Sequence, residues 1–455
     1  MGTYCIVKAT GCHPCGNAND NRKNELQQSG DSHSHDNMRI LLLTDNHTPT
    51  GGAENYFFDL KNRLKKTPGI EVFSIGFGPI EMHGDDYYVI KGLRSKFFKL
   101  IWQILFNPVI YLRLRSQIRK FQPDVIHLHN IKQYTASVMR AVKPYQVIQT
   151  VHDYSIICPS AQNIHKDNQP CPTGMRKRCF WQHQVKYNPV IYLALVCSFY
   201  QMRRHLRKTV KMFIAPSPLL VEYLKKNSFN NTVFIPPFKK EQSSYSFDNM
   251  QPGHFLFAGS LGQHKGVHIL IEEFALACKR NNHLYLTIAG TGPEELHMRQ
   301  RIQTFGIEKH VRFTGWHHHL DKLYDENMAV IFPSTGFETF GLVITEAMGR
   351  ARPVIGVNRG TSDWIIDDQR TGLLFDPLKK GDLAEKMLTL ARNPELAKQL
   401  GTNGYEKLKN FIDNDMALEQ IISLYRKCSG ISSSVTPPPL KPSRKLEKLE
   451  KEHCD

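Results

Sequence analysis

Eleven short apolar runs, each six to eight residues long, recur between residues 39 and 357 and alternate with stretches of helical periodicity. In the first half they read RILLLTD (39–45), IEVFSIGF (70–77), DVIHLHN (124–130), QVIQTVHD (146–153), KMFIAPS (211–217) and TVFIPP (232–237). In the second they read HFLFAGS (254–260), LYLTIAG (284–290), HVRFTG (310–315), MAVIFPS (328–334) and RPVIGV (352–357). A strand that is apolar on both sides needs cover on both sides, and the intervening helices supply it. The pattern therefore predicts an α/β chain of parallel, doubly wound sheets. The runs form two sets, parted between residues 236 and 252, where EQSSYSFDNMQPG is polar and unpatterned. Two Rossmann-like domains are expected, over residues 38–240 and 252–412. Ligands of such sheets bind beyond the carboxyl ends of the strands.

The richest string at such an end is PSTGFETFGLVITEAMGRARPVIGV, residues 333–357. The strand AVIFPS leads into the loop TGFETF, and the helix GLVITEAMGR opens at about Gly341. The backbone amides of Gly341, Leu342 and Val343 then fall in a first helical turn, lack intrahelical acceptors and suit a phosphate. Glu346 lies one turn above Leu342. A carboxylate there repels phosphate but accepts hydrogen bonds from neighbouring hydroxyls, as on a ribose. Glu338, on the loop, is free to approach a sugar. An amphipathic helix with two solvated glutamates gives the same spacing without any ligand.

The Glu-seven residues-Glu spacing, the FGL between, and the EAM…G-x-PVI ending resemble the retaining glycosyltransferases of family 4. That resemblance implies the GT-B fold: two Rossmann-like domains facing a central cleft, with a C-terminal helix that crosses back to the first domain. The helical run MALEQIISLYRKC (416–428) is the candidate, within a segment expected to span 413–429. The resemblance covers residues 39–428, most specifically 254–376. It also implies roles for Phe340 with Gly341, Leu342 and Val343 on the donor, for Glu346 on its ribose and for Glu338 on its sugar.

Other strings extend the likeness. Gly51-Gly52-Ala53-Glu54, read as a loop before the helix NYFFDLKNRL, resembles the family's GGAE-like loop. There Gly52 would face the donor pyrophosphate, and Gly51 and Glu54 the acceptor; a plain glycine turn is the alternative. HDYSIICPS resembles the family's HD-aromatic…CP string, which implies His152 beside the transferred sugar and Asp153 on the acceptor side. His127 and His129 share one face of their strand by period two, and buried, satisfied histidines are the expectation over acceptor contacts. FAGSLGQHKGVHILIEEF resembles the family's G-R-L-x-x-x-K-G string. Lys265 would neutralise the charge that grows on a leaving diphosphate. Ser260 stands at the arginine position and offers the donor hydrogen bonds but no charge, so either another basic residue compensates, with Arg359 the candidate, or the donor is held less tightly, or activity is impaired. Trp316 and His317 follow the F-x-G strand and are candidates for the nucleotide base, Trp316 equally for a domain interface.

The chain has 455 residues and a net charge of +17. Residues 91–120 carry eight Lys/Arg and residues 175–211 carry nine, with no acid in either, so these segments hold the whole excess. Both interleave the charges with aromatic and aliphatic blocks such as LIWQILF and VIYLALV. That suits the face of an anionic bilayer better than nucleic acid, though solvated helix faces read the same way. No eighteen-residue apolar run is present. Residues 1–37 and 430–455 read as disordered extensions, and a start at Met38 is one reading of the first. Ten cysteines do not make a disulfide scaffold. Cys158, Cys171 and Cys179 match no standard zinc spacing.

The expectation is a retaining glycosyltransferase that moves a sugar from a nucleotide diphosphate donor to a glycan or lipid-linked acceptor of cell-surface polysaccharide synthesis. It would be cytoplasmic and peripheral on the inner face of the membrane, with no metal or other cofactor. A sugar-nucleotide epimerase or a non-catalytic nucleotide-sugar-binding protein of the same fold is the alternative.

Overall fold

A computed structural model describes residues 37–49, 51–92, 106–132, 134–158, 189–240, 244–317, 319–336 and 338–430. Residues 1–36 and 431–455 of the expected terminal extensions, Cys171, Cys179, and residues 93–105 and 175–188 of the basic segments lie outside them.

The first sheet has eight strands: β1 (Met38–Thr44), β2 (Ile70–Gly78), β3 (Met82–Gly84), β4 (Tyr87–Lys91), β5 (Val125–His129), β6 (Gln146–Thr150), β7 (Val210–Ala215) and β8 (Thr232–Phe234). Their spatial order is β3-β4-β2-β1-β5-β6-β7-β8, parallel except for the β3–β4 hairpin at the edge. The second sheet has six: β9 (Gln251–Ala258), β10 (Tyr285–Ala289), β11 (Val311–Gly315), β12 (Asn327–Phe332), β13 (Val354–Val357) and β14 (Gly372–Phe375). Its order is β11-β10-β9-β12-β13-β14, parallel throughout. The chain reverses its winding direction between β1 and β5 in the first sheet and between β9 and β12 in the second. At such switch points the loops diverge and leave a crevice above the strand ends.

All eleven apolar runs form strands. Three strands escape the pattern. β3 and β4 flank only Asp85 and Asp86 and form the hairpin at a sheet edge, and β14 is only GLLF, too short to separate from one apolar helical turn. β9 starts at Gln251, earlier than its apolar run, where Gln251 pairs with Asn327 of β12; Gly253 within it takes a left-handed φ of 77°, with no room for a Cβ beside the His283 carbonyl.

Helices cover both faces of each sheet. On the first, Ile110, Leu114 and Ile118 of the helix Pro108–Phe121 pack with Val138, Met139 and Leu206 against one face. The opposite face receives Phe57, Leu60 and Leu64 of the helix Gly52–Lys65 together with Ala417, Ile421, Ile422 and Tyr425 of the C-terminal helix Asn414–Ser429. That last helix follows the second sheet in sequence yet packs on β5 and β6, so the crossover is present. Asn414 ties it to the segment between the sheets through both bonds of its side-chain amide with Lys239, 2.9 and 3.0 Å. No helix among the described residues is long and apolar enough to cross a membrane.

Candidate functional site

The loops after β9 and β12 build one wall of the crevice. Gly266 ends the loop after β9 with φ 68°, and a Cβ there would lie 1.9 Å from the Pro333 carbonyl oxygen. Only glycine permits that approach. The approach lets the amides of Thr335 and Gly336 both donate to the His264 carbonyl, at 3.1 and 3.0 Å. The two loops are thus laced together, and Lys265 Nζ lies 2.5 Å from Glu338 Oε1, which also accepts from Ser334 Oγ at 2.8 Å. The carboxylate expected to be free is therefore held by a lysine. Burial would raise the Glu338 carboxyl, but the Lys265 ammonium and the two hydrogen bonds outweigh it and hold the group below its usual 4.5.

The backbone around Glu338 joins the two halves of the molecule. Its carbonyl accepts from Thr361 Oγ1 at 2.6 Å and, across the crevice, from the Tyr154 hydroxyl at 3.4 Å. Thr339 Oγ1 donates in the other direction, to the His152 carbonyl at 3.0 Å. The strings HDYSIICPS and GFETF, far apart in sequence, meet here. Arg359 lines the same recess as Ser334, Glu338 and Thr361. Ser260 is exposed on its own loop.

Gly341 is the N-cap of the helix Leu342–Gly349, with φ 82°. The amides of Leu342 and Val343 open the first turn, as the sequence indicated, and the Phe340 side chain does not face the crevice. It is buried and meets Trp364 edge-on, centroids 6.0 Å apart, so only its backbone can reach a ligand. Glu346 accepts from the buried Tyr324 hydroxyl at 2.9 Å and has Lys240 Nζ at 3.4 Å.

The other wall carries a second helix start. Gly51 is the N-cap and Gly52 the first residue of the helix Gly52–Lys65. The GGAE string is therefore a helix N-terminus and not a loop ahead of one, because the amide of Asn55 already bonds to the Gly51 carbonyl. A Cβ on Gly52 would lie 2.9 Å from Leu342 Cδ1. Two helix N-termini thus converge, and their unsatisfied amides and dipoles favour an anion between them.

On the acceptor side, Asp153 caps the turn Tyr154–Ile156 through the Ser155 amide, 2.9 Å, and pairs with Lys132 Nζ at 2.5 Å. Burial acts to raise the Asp153 carboxyl, but Lys132 and the Ser155 bonds hold it below its usual value. Glu54 is pushed up, chiefly by burial. His152 is lowered to about 4, first by burial and then by Lys132. Of the two histidines expected to be buried and satisfied, His127 is, with Thr150 and Tyr425 as partners, whereas His129 is buried with its Nε2 unpartnered among the described residues. Cys158 is buried, and Trp316 is exposed. No cluster of three or more His, Cys, Asp or Glu able to hold a metal occurs among the described residues.

Lys132, Tyr154, Thr339, Thr361, Tyr324 and Lys240 were not singled out by sequence reasoning. Thr361 stands just after the β13 strand end, which was a usable signal. Tyr154 is the aromatic of the HD-aromatic string and Thr339 lies within TGFETF, so their strings were marked though their roles were not; Lys132, Tyr324 and Lys240 carry no local motif.

Two family patterns cover most of the chain: "Glycosyltransferase Family 4" matches residues 50–238 and "Glycosyl transferases group 1" matches residues 238–407. Among characterised relatives, O-antigen chain mannosyltransferase C of Escherichia coli is 28% identical over 256 residues, 52% of this chain and 67% of that protein. The alpha-D-kanosaminyltransferase of Streptomyces kanamyceticus is 26% identical over 38% of this chain and 45% of its own length. The matched region thus spans between about half and two thirds of these relatives. Among solved structures, sucrose-phosphate synthase from Thermosynechococcus elongatus superimposes with a TM-score of 0.66 at 19% identity, over 87% of this chain and all of that one. At that identity the likeness speaks for the fold.

Proposed function

The chain belongs to the glycosyltransferases of family 4, with the GT-B fold, and from that premise we propose that it moves a sugar with retention from a nucleotide diphosphate donor to a glycan or lipid-linked acceptor of cell-surface polysaccharide synthesis. The observation that carries the reading is the Lys265–Glu338 pair, 2.5 Å apart, with Glu338 on the loop that leads into the helix capped by Gly341, whose Leu342 side chain lies against the helix start at Gly52. A donor diphosphate fits between the amides of Leu342 and Val343 and the start of the helix at Gly52. It draws the Lys265 ammonium from Glu338, and the released carboxylate accepts from the sugar hydroxyls. Arg359, in the same recess, supplies the charge that Ser260 lacks. Glu346, steadied by Tyr324, holds the ribose hydroxyls. Glu54, Asp153 and His152 face the acceptor and the transferred sugar.

The chemistry needs stabilisation of two developing charges. As the anomeric C–O bond to phosphate breaks, negative charge grows on the diphosphate, where Lys265 and the helix amides meet it. The acceptor oxygen bonds to the anomeric carbon from the same face, and its proton passes to the departing phosphate oxygen. The test is a thermal-shift panel of nucleoside diphosphates and their sugars, which names the donor by mass action, followed by transfer assays on Glu338→Gln/Glu346→Gln. Unimpaired transfer by that double variant overturns the reading.

We place the protein on the inner face of an anionic membrane. Val109 and Leu112 on the helix Pro108–Phe121, and Leu193 and Tyr200 on the helix Pro189–Thr209, are exposed beside basic residues. Arg203 does not belong to that face. It is buried and donates to the Asn227 carbonyl and side chain, at 2.7 and 3.3 Å. The exposed Arg119, Lys120, Arg204 and Lys208 are the ones to replace by glutamate. Undiminished binding of that variant to phosphatidylserine vesicles would remove the membrane assignment.

A further inference from the structure

A row of rings runs beneath the crevice. His127 and His129 lie on one side of β5 with centroids 4.3 Å apart. His127 is engaged at both nitrogens, Nδ1 with the Tyr425 hydroxyl at 2.7 Å and Nε2 with Thr150 Oγ1 at 2.8 Å. His129 reaches the site: its Nδ1 is 3.0 Å from His152 Nε2, with the rings stacked at 24°. Its Nε2 is buried and has no hydrogen-bond partner among the described residues, and Phe57 packs edge-on at 5.2 Å. Burial is the first cause that lowers all three imidazoles, His127 to about 3, His152 to about 4 and His129 well below 6.5. All three are therefore neutral near pH 7.

A neutral imidazole carries one N–H, so within the His129–His152 contact one ring donates and the other accepts. A proton on His129 Nε2 would be a buried N–H without an acceptor, which is the costlier kind of orphan. A proton on Nδ1 leaves only a bare lone pair at Nε2. The hydrogen bond thus runs from His129 Nδ1–H to His152 Nε2. We infer that His129 is a positioning residue that fixes His152 in the tautomer protonated at Nδ1, so that His152 offers a donor at its remaining ring nitrogen. Resting on the sugar-side reading of His152, this makes His152 a hydrogen-bond donor to a sugar oxygen and not the base for the acceptor hydroxyl. Deprotonation is then left to the departing phosphate.

The test is the ring spectrum of the full chain labelled with 15N-histidine at pH 7.5, with His152 assigned by His152→Gln. The expected result is a pyrrole-type Nδ1 and a pyridine-type Nε2 for His152. A pyrrole-type Nε2 on His152 would overturn the inference without any substrate present. Variants add a functional readout with the donor that the thermal-shift panel identifies. In His129→Leu, kcat should fall on the order of tenfold with the donor KM little changed, as expected when a contacting group loses its orientation. His129→Asn, whose amide donates from about the place of Nδ1, should recover most of it. Equal rates in the parent, His129→Leu and His129→Asn would also overturn it. A parent chain that transfers no sugar would count against the glycosyltransfer reading, and the ring spectrum would still decide the tautomer.

Discussion

Gly266→Ala tests how Lys265 is placed. The position has φ 68°, and an added Cβ would stand 1.9 Å from the Pro333 carbonyl oxygen, where real Cβ contacts stay beyond 3.0 Å. The loop and the end of β12 must therefore part by roughly 1 Å. The left-handed backbone costs an alanine about 1–2 kcal/mol, and forcing the backbones apart adds about 1–3 kcal/mol. The separation also strains the bonds from the Thr335 and Gly336 amides to the His264 carbonyl, each worth about 1 kcal/mol net. A loss of about 3–5 kcal/mol is expected in the unfolding of the second domain, at the upper end for a single substitution. Urea denaturation measures it. The thermal shift produced by the preferred nucleoside diphosphate should shrink in parallel, because Lys265 no longer faces Glu338. An unchanged urea midpoint with an unchanged nucleotide shift would refute the argument that this close approach builds the site.

Arg352 is fully buried and donates to the carbonyls of Asn327, Arg350, Ser246 and Asp325 at 2.9–3.0 Å. Arg352→Met should cost about 3–5 kcal/mol by stranding them, and a denaturation midpoint within error of the parent would contradict this. Gly52→Val places methyl groups against the flexible end of Leu342; melting temperature should hold while donor affinity drops about tenfold or more, read by calorimetry, through obstruction of the anion site. Stability should also fall with acid. His127 and His152 have folded values of about 3 and about 4 against 6.5, so below pH 6.5 only the unfolded chain takes up their protons. Each contributes a loss of about 1.4 kcal/mol per pH unit until its folded value is reached. The depressed Glu338 carboxyl adds a further loss as pH falls from its unfolded value of 4.5 through its folded one. A urea midpoint that is flat from pH 7 to pH 5 would rule out the buried neutral histidines.

The periodicity of eleven apolar runs was enough to specify two parallel sheets, because burial on both faces writes itself into every residue of a strand. The strings at the strand ends marked Glu338, Lys265, Glu346, Gly52 and His152, since glycines and polar groups interrupting apolar runs are local signals. The chain order alone could not say that Glu338 is held by Lys265, that Phe340 turns inward to Trp364, or that Arg203 serves Asn227. Those outcomes depend on which backbone approaches which, down to the fit of Gly266 on Pro333. Tyr154 and Thr339 meet their partners across separations of 184 and 187 residues, and Lys132 meets Asp153 across 21. No periodicity encodes such pairs. They exist only once two separately wound sheets and a returning helix have set the loops face to face.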